Sequence, residues 1–249
     1  MKCFVILPCY NEEQNIKTLI PTIEKAIKPK MLYKIIAIND GSIDHTGQLL
    51  RELSNEYPIL IIEHLKNKGL AETLEDGLSV AAELSREEDL IITMDSDNTH
   101  DPRYMLDMAK VVTEADIVIG SRYVKGGKQL NVPPHRMILS KAINKGIKLA
   151  AGLHVKDATS GYRCFRAKTI KTLHKQFGKK FVESKGFEIS LELLLKLFWL
   201  NPVILEVPIT LDYGKKGGRS KMKLFSTIKR YIALFFGMRK WKKQLKNRV

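Results

Sequence analysis

Short apolar runs alternate with amphipathic stretches of helical period through the first half of the chain, and this restricts the fold more than any other feature. Apolar runs of about four to eight residues are typical of strands buried in a parallel sheet. We predict strands at 3–7, 33–38, 59–63, 90–94 and 116–119. Helices are predicted at 12–27, 46–56, 70–84 and 102–113, the last with Asp101 as N-cap and Pro102 at the first helical position. The pattern predicts an α/β fold with a mainly parallel sheet that helices flank.

The pattern is looser in the second half of the chain. A loop rich in Gly, Lys and Pro at 125–134 precedes a predicted helix at 137–151, and a polar stretch at 156–163 precedes another at 187–200. We predict one catalytic domain, residues 1–221, followed by a C-terminal segment, 222–249, that is helical from 222 to about 243.

Polar residues follow three of the predicted strands, at the sheet edge where ligands bind in such folds. Asp95 and Asp97 follow the fourth strand, and their carboxylates suit a hard divalent cation such as Mg²⁺ or Mn²⁺, although an Asp-x-Asp pair also caps ordinary loops. Asp40, after the second strand, is suited to a base or ribose edge, as is Glu12 after the first. The alternatives are a turn at Asp40 and a first-turn helix carboxylate at Glu12.

The net charge of +15 belongs to the end of the chain. From 213 to 249 there are 13 Lys or Arg and no Asp or Glu. The rest of the chain therefore holds the other 29 of the 42 basic residues together with all 27 acidic ones, and is nearly neutral. The same segment carries apolar side chains on one broad helical face, namely Phe225, Ile228, Ile232 and Phe235 or Phe236. We interpret it as an interfacial helix for an anionic membrane surface, with packing on the protein's own domain or on a second protomer as the alternative. A near-neutral body argues against a nucleic-acid partner.

The expected location is the cytoplasm, peripheral on the cytoplasmic face of a membrane. No run approaches the roughly 20 apolar residues that span a bilayer, and the start of the chain has no signal-peptide layout. Three scattered cysteines, Cys3, Cys9 and Cys164, agree with a reducing compartment.

Five segments in order give the chain a resemblance to family 2 glycosyltransferases of GT-A fold. They are LPCYNE at 7–12, NDGS at 39–42, MDSD at 94–97, GSRY at 120–123 and DATSGYR at 157–163. Within that family the chain most resembles dolichol-phosphate mannose synthases and related polyprenyl-phosphate glycosyltransferases, over about residues 3–222. The resemblance implies a GT-A, Rossmann-like fold, a nucleotide-sugar donor, a polyprenyl-phosphate acceptor, and either a membrane surface or a separate membrane subunit as partner.

The resemblance also assigns residues. It implies that Asp95 and Asp97 hold Mg²⁺ or Mn²⁺, that Pro8, Tyr10, Glu12, Asp40 and Ser96 line the nucleotide-sugar pocket, and that Asp95, Asp97 and Arg122 act in catalysis. Thr99 stands where the family can supply a third metal contact from Gln, which leaves that contact to water or a hydroxyl. The positions that resemble the family's phosphate-binding residues are Arg122, Arg136, Ser140, Arg219 and Lys221.

A phosphate acceptor requires no general base, because its second pKa of roughly 6 leaves it largely ionised at neutral pH. A single direct displacement inverts the anomeric centre, so we expect an inverting transfer. The resemblance implies mannose from GDP-mannose as the leading donor. The alternative is transfer to a hydroxyl of a cell-envelope glycan, for which Asp157 is the candidate base. Asp157→Asn is then nearly silent at the chemical step with a phosphate acceptor and severe with a hydroxyl. Two alternative functions belong to other classes of protein: a nucleotidyltransferase, and a nucleotide- or RNA-binding protein.

Overall fold

A computed structural model describes residues 1–178, 180–218 and 224–246 of the chain. Nine strands lie in this part: β1 (Lys2–Cys9), β2 (Leu32–Asn39), β3 (Ile59–Glu63), β4 (Leu90–Thr93), β5 (Ile117–Ser121), β6 (Lys128–Leu130), β7 (Arg163–Arg166), β8 (Ile204–Pro208) and β9 (Thr210–Asp212). Its eight α-helices are α1 (Glu13–Ile27), α2 (Thr46–Leu53), α3 (Leu70–Leu84), α4 (Tyr104–Val111), α5 (Pro134–Ala151), α6 (Ala167–Phe177), α7 (Ile189–Phe198) and α8 (Leu224–Lys246).

Seven strands form one sheet in the order β3-β2-β1-β4-β7-β5-β8, and β6 and β9 form a small parallel pair. Every neighbouring pair in the large sheet is parallel except the two that involve β7, which runs antiparallel between β4 and β5. The carboxyl ends of β1, β2 and β4 therefore meet at one edge. The predicted mixed, mainly parallel sheet is confirmed.

A separate apolar core covers each face of the sheet. Helices α1, α2 and α4 pack on one face, where α1 buries Ile16, Leu19, Ile20, Ile23 and Ile27 at helical spacing. Helices α3, α5, α6, α7 and α8 contribute to the core on the other face. Gly77 lets α3 approach the sheet closely, because a Cβ at this position would lie 2.7 Å from a methyl carbon of Ile6.

The helix and strand predictions are confirmed for the first half of the chain, with ends that differ by a few residues. The prediction for the start of α4 is wrong: the helix begins at Tyr104, and Asp101 instead binds Arg103, with its Oδ1 accepting from the backbone N–H of Arg103 at 3.0 Å. Strand β7 and the segments 128–130 and 204–212 were not predicted as strands. Strand β7 consists of Arg163, Cys164, Phe165 and Arg166, and its charged ends conceal the strand pattern.

The C-terminal helix α8 packs on the domain along one face. Tyr231, Leu234, Met238 and Trp241 are buried in the core beside α7. On the opposite face Phe225, Ile232 and Phe236 are 82%, 53% and 79% exposed. The domain boundary at 221/222 stays a prediction, but the inner face of α8 belongs to the core of the preceding domain. None of the described helices has the length and apolar character to cross a membrane.

Candidate active site

A cleft of about 600 Å³ opens at the carboxyl ends of β1, β2 and β4. Its walls include Pro8, Tyr10, Glu12, Asp40, Asp95 and Ser96, which were predicted to bind the nucleotide sugar, and Asp97, which was predicted with Asp95 to bind the metal. A narrower cavity of about 140 Å³ adjoins the cleft. Asp95, Arg136 and Tyr213 line both the cleft and this cavity. The structure thus brings the predicted donor residues and Arg136 to one continuous recess.

Asp95 and Asp97 follow β4 where the chain leaves the sheet. Ser96, between them, donates a hydrogen bond from its hydroxyl to the carbonyl of Pro8 at 2.9 Å, which fixes the turn to the end of β1. Asn98 then adopts φ 63°, a conformation that asparagine tolerates better than most residues. The turn directs both carboxylates toward the cleft that they line.

The Asp97 carboxylate has two partners. The hydroxyl of Thr99 donates to Asp97 Oδ1 at 2.6 Å, and the ammonium group of Lys216 forms an ion pair with Asp97 Oδ2. Burial alone would raise the pKa of Asp97, but the charge of Lys216 and the hydrogen bonds from Lys216 and Thr99 outweigh it, so the pKa lies below the usual value. Thr99 therefore orients Asp97 in this structure.

Asp95 lies in a different electrostatic environment. Its pKa is raised, first because the surrounding protein reduces hydration of the carboxylate and then by the neighbouring charge of Asp97, although 45% of the side chain is exposed. The side chain of His100 is buried, and its Nδ1 accepts from the backbone N–H of Asp95 at 3.2 Å. Burial also lowers the pKa of His100, so the ring is an uncharged support for the turn.

The donor atoms at this turn fit a hard divalent cation. Carboxylate oxygens are the ligands that Mg²⁺ and Mn²⁺ prefer, and such sites typically complete their coordination with water and substrate phosphates. Lys216 already places a positive charge against Asp97. No group of three or more acidic, His or Cys side chains within the described residues forms a closed metal site. An open site with two carboxylates is the type that these residues can build.

Glu12 lies at the end of the first strand–helix turn. Its backbone N–H donates to the Thr46 hydroxyl at 2.7 Å, and its Oε2 accepts from the carboxamide of Asn15 at 2.6 Å. Asn15, which is 2% exposed, also binds both backbone polar groups of Gly217. Asn15 was not predicted as a site residue, because a polar residue in the first turn of a helix is usually solvated.

Asp40 organises the loop after β3. Its Oδ1 accepts from the backbone N–H of Lys68 at 2.8 Å and lies 2.7 Å from His64 Nδ1, while its Oδ2 accepts from the N–H of Gly69 at 2.9 Å. Gly41, at φ 65°, allows close approach, since a Cβ there would lie 2.4 Å from the carbonyl carbon of Lys66. The role of Asp40 in binding a base or ribose stays a prediction.

Arg122 and Asp157 form a buried ion pair with two points of contact. Arg122 Nε lies 2.7 Å from Asp157 Oδ2, and Arg122 Nη2 lies 2.6 Å from Asp157 Oδ1. The same Nη2 donates to the hydroxyls of Thr159 and Ser140, at 2.8 and 3.2 Å. Arg122, Ser140 and Thr159 line the narrower cavity, so this cluster presents a guanidinium and two hydroxyls to it.

Arg136 belongs to the same wall. It donates to the Tyr213 hydroxyl at 2.7 Å and lies 5.4 Å from the centre of that ring. Of the residues predicted to bind phosphate, the structure thus brings together Arg122, Arg136 and Ser140. Arg219 and Lys221 lie outside the described residues.

Three buried glutamates hold a segment without regular structure, residues 181–186, whose last two residues, Lys185 and Gly186, line the cleft. The backbone N–H groups of 181 and 182 bind Glu75, those of 183 and 184 bind Glu192, and those of 185 and 186 bind Glu188, at 2.6–3.1 Å. This arrangement was not predicted, because the carboxylates come from α3 and from the start of α7.

Comparison with known proteins adds sequence relatives. A model of glycosyl transferase family 2 matches residues 4–173. A dolichol-phosphate mannosyltransferase of Pyrococcus furiosus is 33% identical over 98% of this chain, which spans 66% of that protein. An undecaprenyl-phosphate mannosyltransferase of Micrococcus luteus is 31% identical over 89% of this chain and 88% of its own length.

The fold also matches solved structures. A glucosyl-3-phosphoglycerate synthase of Mycobacterium tuberculosis, in complex with Mn²⁺, UDP and phosphoglyceric acid, has a TM-score of 0.70 at 17% identity, over 95% of this chain and 78% of that one. At this identity the likeness concerns the fold, and it confirms the predicted GT-A arrangement.

Proposed function

The chain belongs to glycosyl transferase family 2, and we propose that it transfers mannose from GDP-mannose to a polyprenyl phosphate, with Mg²⁺ or Mn²⁺ and with inversion at the anomeric carbon. The names of the relatives from P. furiosus and M. luteus support a polyprenyl-phosphate acceptor and a mannosyl donor. The site supports the same activity through the buried cluster of Arg122, Asp157, Ser140 and Thr159 beside Asp95.

The donor occupies the larger cleft in this proposal. Pro8, Tyr10, Glu12, Asp40 and Ser96 surround the nucleoside, and Asp95 and Asp97 lie where the diphosphate would enter. A divalent cation held by the two aspartates would neutralise the charge of the departing diphosphate. Lys216 and Arg136, which also line the cleft, add positive charge at the same place.

The acceptor phosphate binds at the narrower cavity. Arg122 is the central donor, because Asp157 binds its Nε and Nη2 and so fixes the guanidinium beside the hydroxyls of Ser140 and Thr159. Charged hydrogen bonds of this type are roughly twice as strong as neutral ones and fix the phosphate geometrically. An ionised phosphate oxygen attacks the anomeric carbon directly, so positioning and charge neutralisation supply the catalysis.

The hydroxyl-acceptor alternative requires a free base, and Asp157 is poorly suited to that role. Its Oδ1 accepts from Arg122 and Thr159, and its Oδ2 accepts from the side chain and the backbone of Arg122. Its side chain is fully buried. Because both of its oxygens already accept hydrogen bonds, Asp157 positions Arg122 and is not free to act as a base. This arrangement favours the phosphate acceptor.

We further propose that the protein works as a peripheral protein on the cytoplasmic face of a membrane, alone or with a separate membrane subunit. The outer face of α8 exposes Phe225, Ile232 and Phe236, with Lys229, Arg239 and Lys240 beside them. Helix α5 packs next to α8, because Gly146 lies against the ring of Phe235. It exposes Ile138 and Leu149 together with three lysines, Lys141, Lys145 and Lys148. Such a mixture of apolar and basic side chains suits an anionic lipid surface.

Two assays test the proposal. A thermal-shift panel of GDP-mannose, UDP-glucose and UDP-N-acetylglucosamine, each with Mn²⁺ or with a chelator, should give the largest shift for GDP-mannose with Mn²⁺. Labelled donor incubated with a short polyprenyl phosphate should give an acid-labile lipid product together with free GDP. Stabilisation by none of the nucleotides, or a product formed only on glycan hydroxyls, would overturn the proposal.

A further inference from the structure

The loop that follows β9, residues 213–218, borders the donor cleft and brings a lysine to the metal site proposed above. Tyr213 and Lys216 line the cleft, and the ammonium group of Lys216 lies 5.7 Å from the centre of the Tyr213 ring. The Lys216 side chain is 18% exposed and the Asp97 side chain 12%, so their ion pair is largely shielded from water.

Asn15 holds this loop in place. Its Oδ1 accepts from the backbone N–H of Gly217 at 3.0 Å, and its Nδ2 donates to the carbonyl of Gly217 at 3.3 Å. A Cβ at position 217 would lie 2.4 Å from Asn15 Oδ1, so the contact requires glycine. The side chain of Asn98, one residue after Asp97, also donates to Asn15 Oδ1 at 3.1 Å. Asn15 thus joins the loop to the turn that carries the two aspartates.

A lysine ammonium and a divalent cation compete for the same oxygen at Asp97. Lys216 is bonded to Asp97 Oδ2, while the hydroxyl and the backbone N–H of Thr99 both bind Oδ1. Oδ2 is therefore the oxygen on which Asp97 would receive a metal ion. A cation there must displace the ammonium group, because two positive charges within contact distance repel each other.

We propose that Lys216 is an exchangeable counter-ion: it occupies the metal's place against Asp97 in the donor-free enzyme, yields it to the divalent cation, and then binds the diphosphate of the donor. The inference rests on the proposed function, because it assumes a metal at Asp95 and Asp97. Lys216 then has two opposite effects. Its side chain weakens metal binding when the donor is absent, and it strengthens donor binding once the metal is present.

The test compares Lys216→Met with Lys215→Met, which removes an exposed lysine from the same loop. Free Mn²⁺ is measured by electron paramagnetic resonance as nucleotide-free protein is titrated. Lys216→Met should bind Mn²⁺ about tenfold more tightly than wild type, and with saturating Mn²⁺ it should bind GDP about tenfold more weakly. Lys215→Met should change neither affinity by more than about twofold. An unchanged or weaker affinity of Lys216→Met for Mn²⁺ would overturn the inference.

Amine labelling separates direct displacement from a general effect of charge. Wild-type protein is treated briefly with an acetylating reagent, with and without Mn²⁺, and the modified lysines are identified by mass spectrometry. Lys216 should be protected without metal and reactive with Mn²⁺ alone, while Lys215 reacts equally in both samples. If Mn²⁺ binds but Lys216 stays protected, the inference is wrong and the proposed function stands. If Mn²⁺ does not bind even with GDP, the metal in the proposed function fails as well.

Discussion

Arg122 and Asp157 share two short hydrogen bonds in the interior, and the Asp157 side chain has no exposed surface. The pair joins the end of β5 to the turn before β7. Asp157 therefore restrains the guanidinium that lines the narrower cavity. This revises the expectation that Asp157→Asn is nearly silent with a phosphate acceptor. An amide offers one acceptor oxygen in place of two and carries no charge to balance the guanidinium.

Asp157→Asn should therefore lower stability and impair catalysis with a phosphate acceptor. Weakening a buried pair costs about 3 kcal/mol, which corresponds to a fall in Tm of roughly 6–12 °C for a chain of this size. Scanning calorimetry with Asp107→Asn as a control checks this, because Asp107 makes an exposed pair with Lys110 and should shift Tm by less than about 2 °C. Equal Tm values for Asp157→Asn and wild type would contradict the assigned role.

Ser140→Ala and Arg136→Gln should both weaken binding of the phosphate acceptor. Ser140→Ala should leave nucleotide binding unchanged, because Ser140 lines only the narrower cavity, whereas Arg136 lines both cavities. Loss of a charged hydrogen bond costs about 1.5–3 kcal/mol, so the KM for a short polyprenyl phosphate should rise by about 10- to 100-fold. Lys141→Gln on the exposed face of the same helix is the matched control, measured with short acceptors in detergent. Acceptor KM values that match those of the control would remove these residues from the acceptor site.

Ile232→Ser combined with Phe236→Ser should reduce binding to anionic vesicles and leave the fold intact. Both side chains are more than half exposed on the outer face of α8, so their replacement removes apolar surface without opening the core. Flotation with phosphatidylserine vesicles at low and high salt measures the effect, and circular dichroism checks the fold. Leu32→Ser is the control, since Leu32 is 77% exposed at the opposite end of the strands from the site. Vesicle binding that persists in the double variant would point to another surface.

Glu183 should stabilise α8 at neutral pH and cease to do so in acid. Burial would raise the pKa of Glu183, but hydrogen bonds from Lys240 and Trp241 bring it below the ordinary 4.5. A lowered pKa in the folded state means that the stabilisation is present above about pH 4.5 and disappears as the pH falls through the lower value. Glu183→Gln should thus be less stable than wild type in urea at pH 7, and the difference should shrink as the pH falls below 4.5. Glu88→Gln, in an exposed loop, should show no such difference.

The sequence predicted the fold and the site best where the position of a residue depends only on the helix or strand that contains or precedes it. Strand β3 and helix α3 have the predicted bounds, because apolar periodicity reports directly which side of an element is buried. Asp95, Asp97 and Asp40 were predicted to lie together because they follow buried strands of a parallel sheet, whose carboxyl ends meet at one edge, and in the structure all three line one cleft.

Contacts between segments that are distant in the sequence could not be predicted from local patterns. Asn15 binds Gly217, and Glu75 binds the backbone at 181 and 182, over separations that no local pattern encodes. Strand β7 escaped prediction because its antiparallel place between β4 and β5 depends on the return of the chain from α5. Its four residues, two of them arginines, have no period of their own to detect.

The packing of α8 has a consequence for any shortened form of this protein. A chain cut before α8 would lose Tyr231, Leu234, Met238 and Trp241 from the core and would expose the apolar side chains beneath them to water. Removal of one large buried side chain costs about 2–5 kcal/mol, against a total stability of about 5–15 kcal/mol for a typical domain. Such a fragment would aggregate and sediment without any lipid, so its sedimentation would report a collapsed core and reveal nothing about affinity for a membrane.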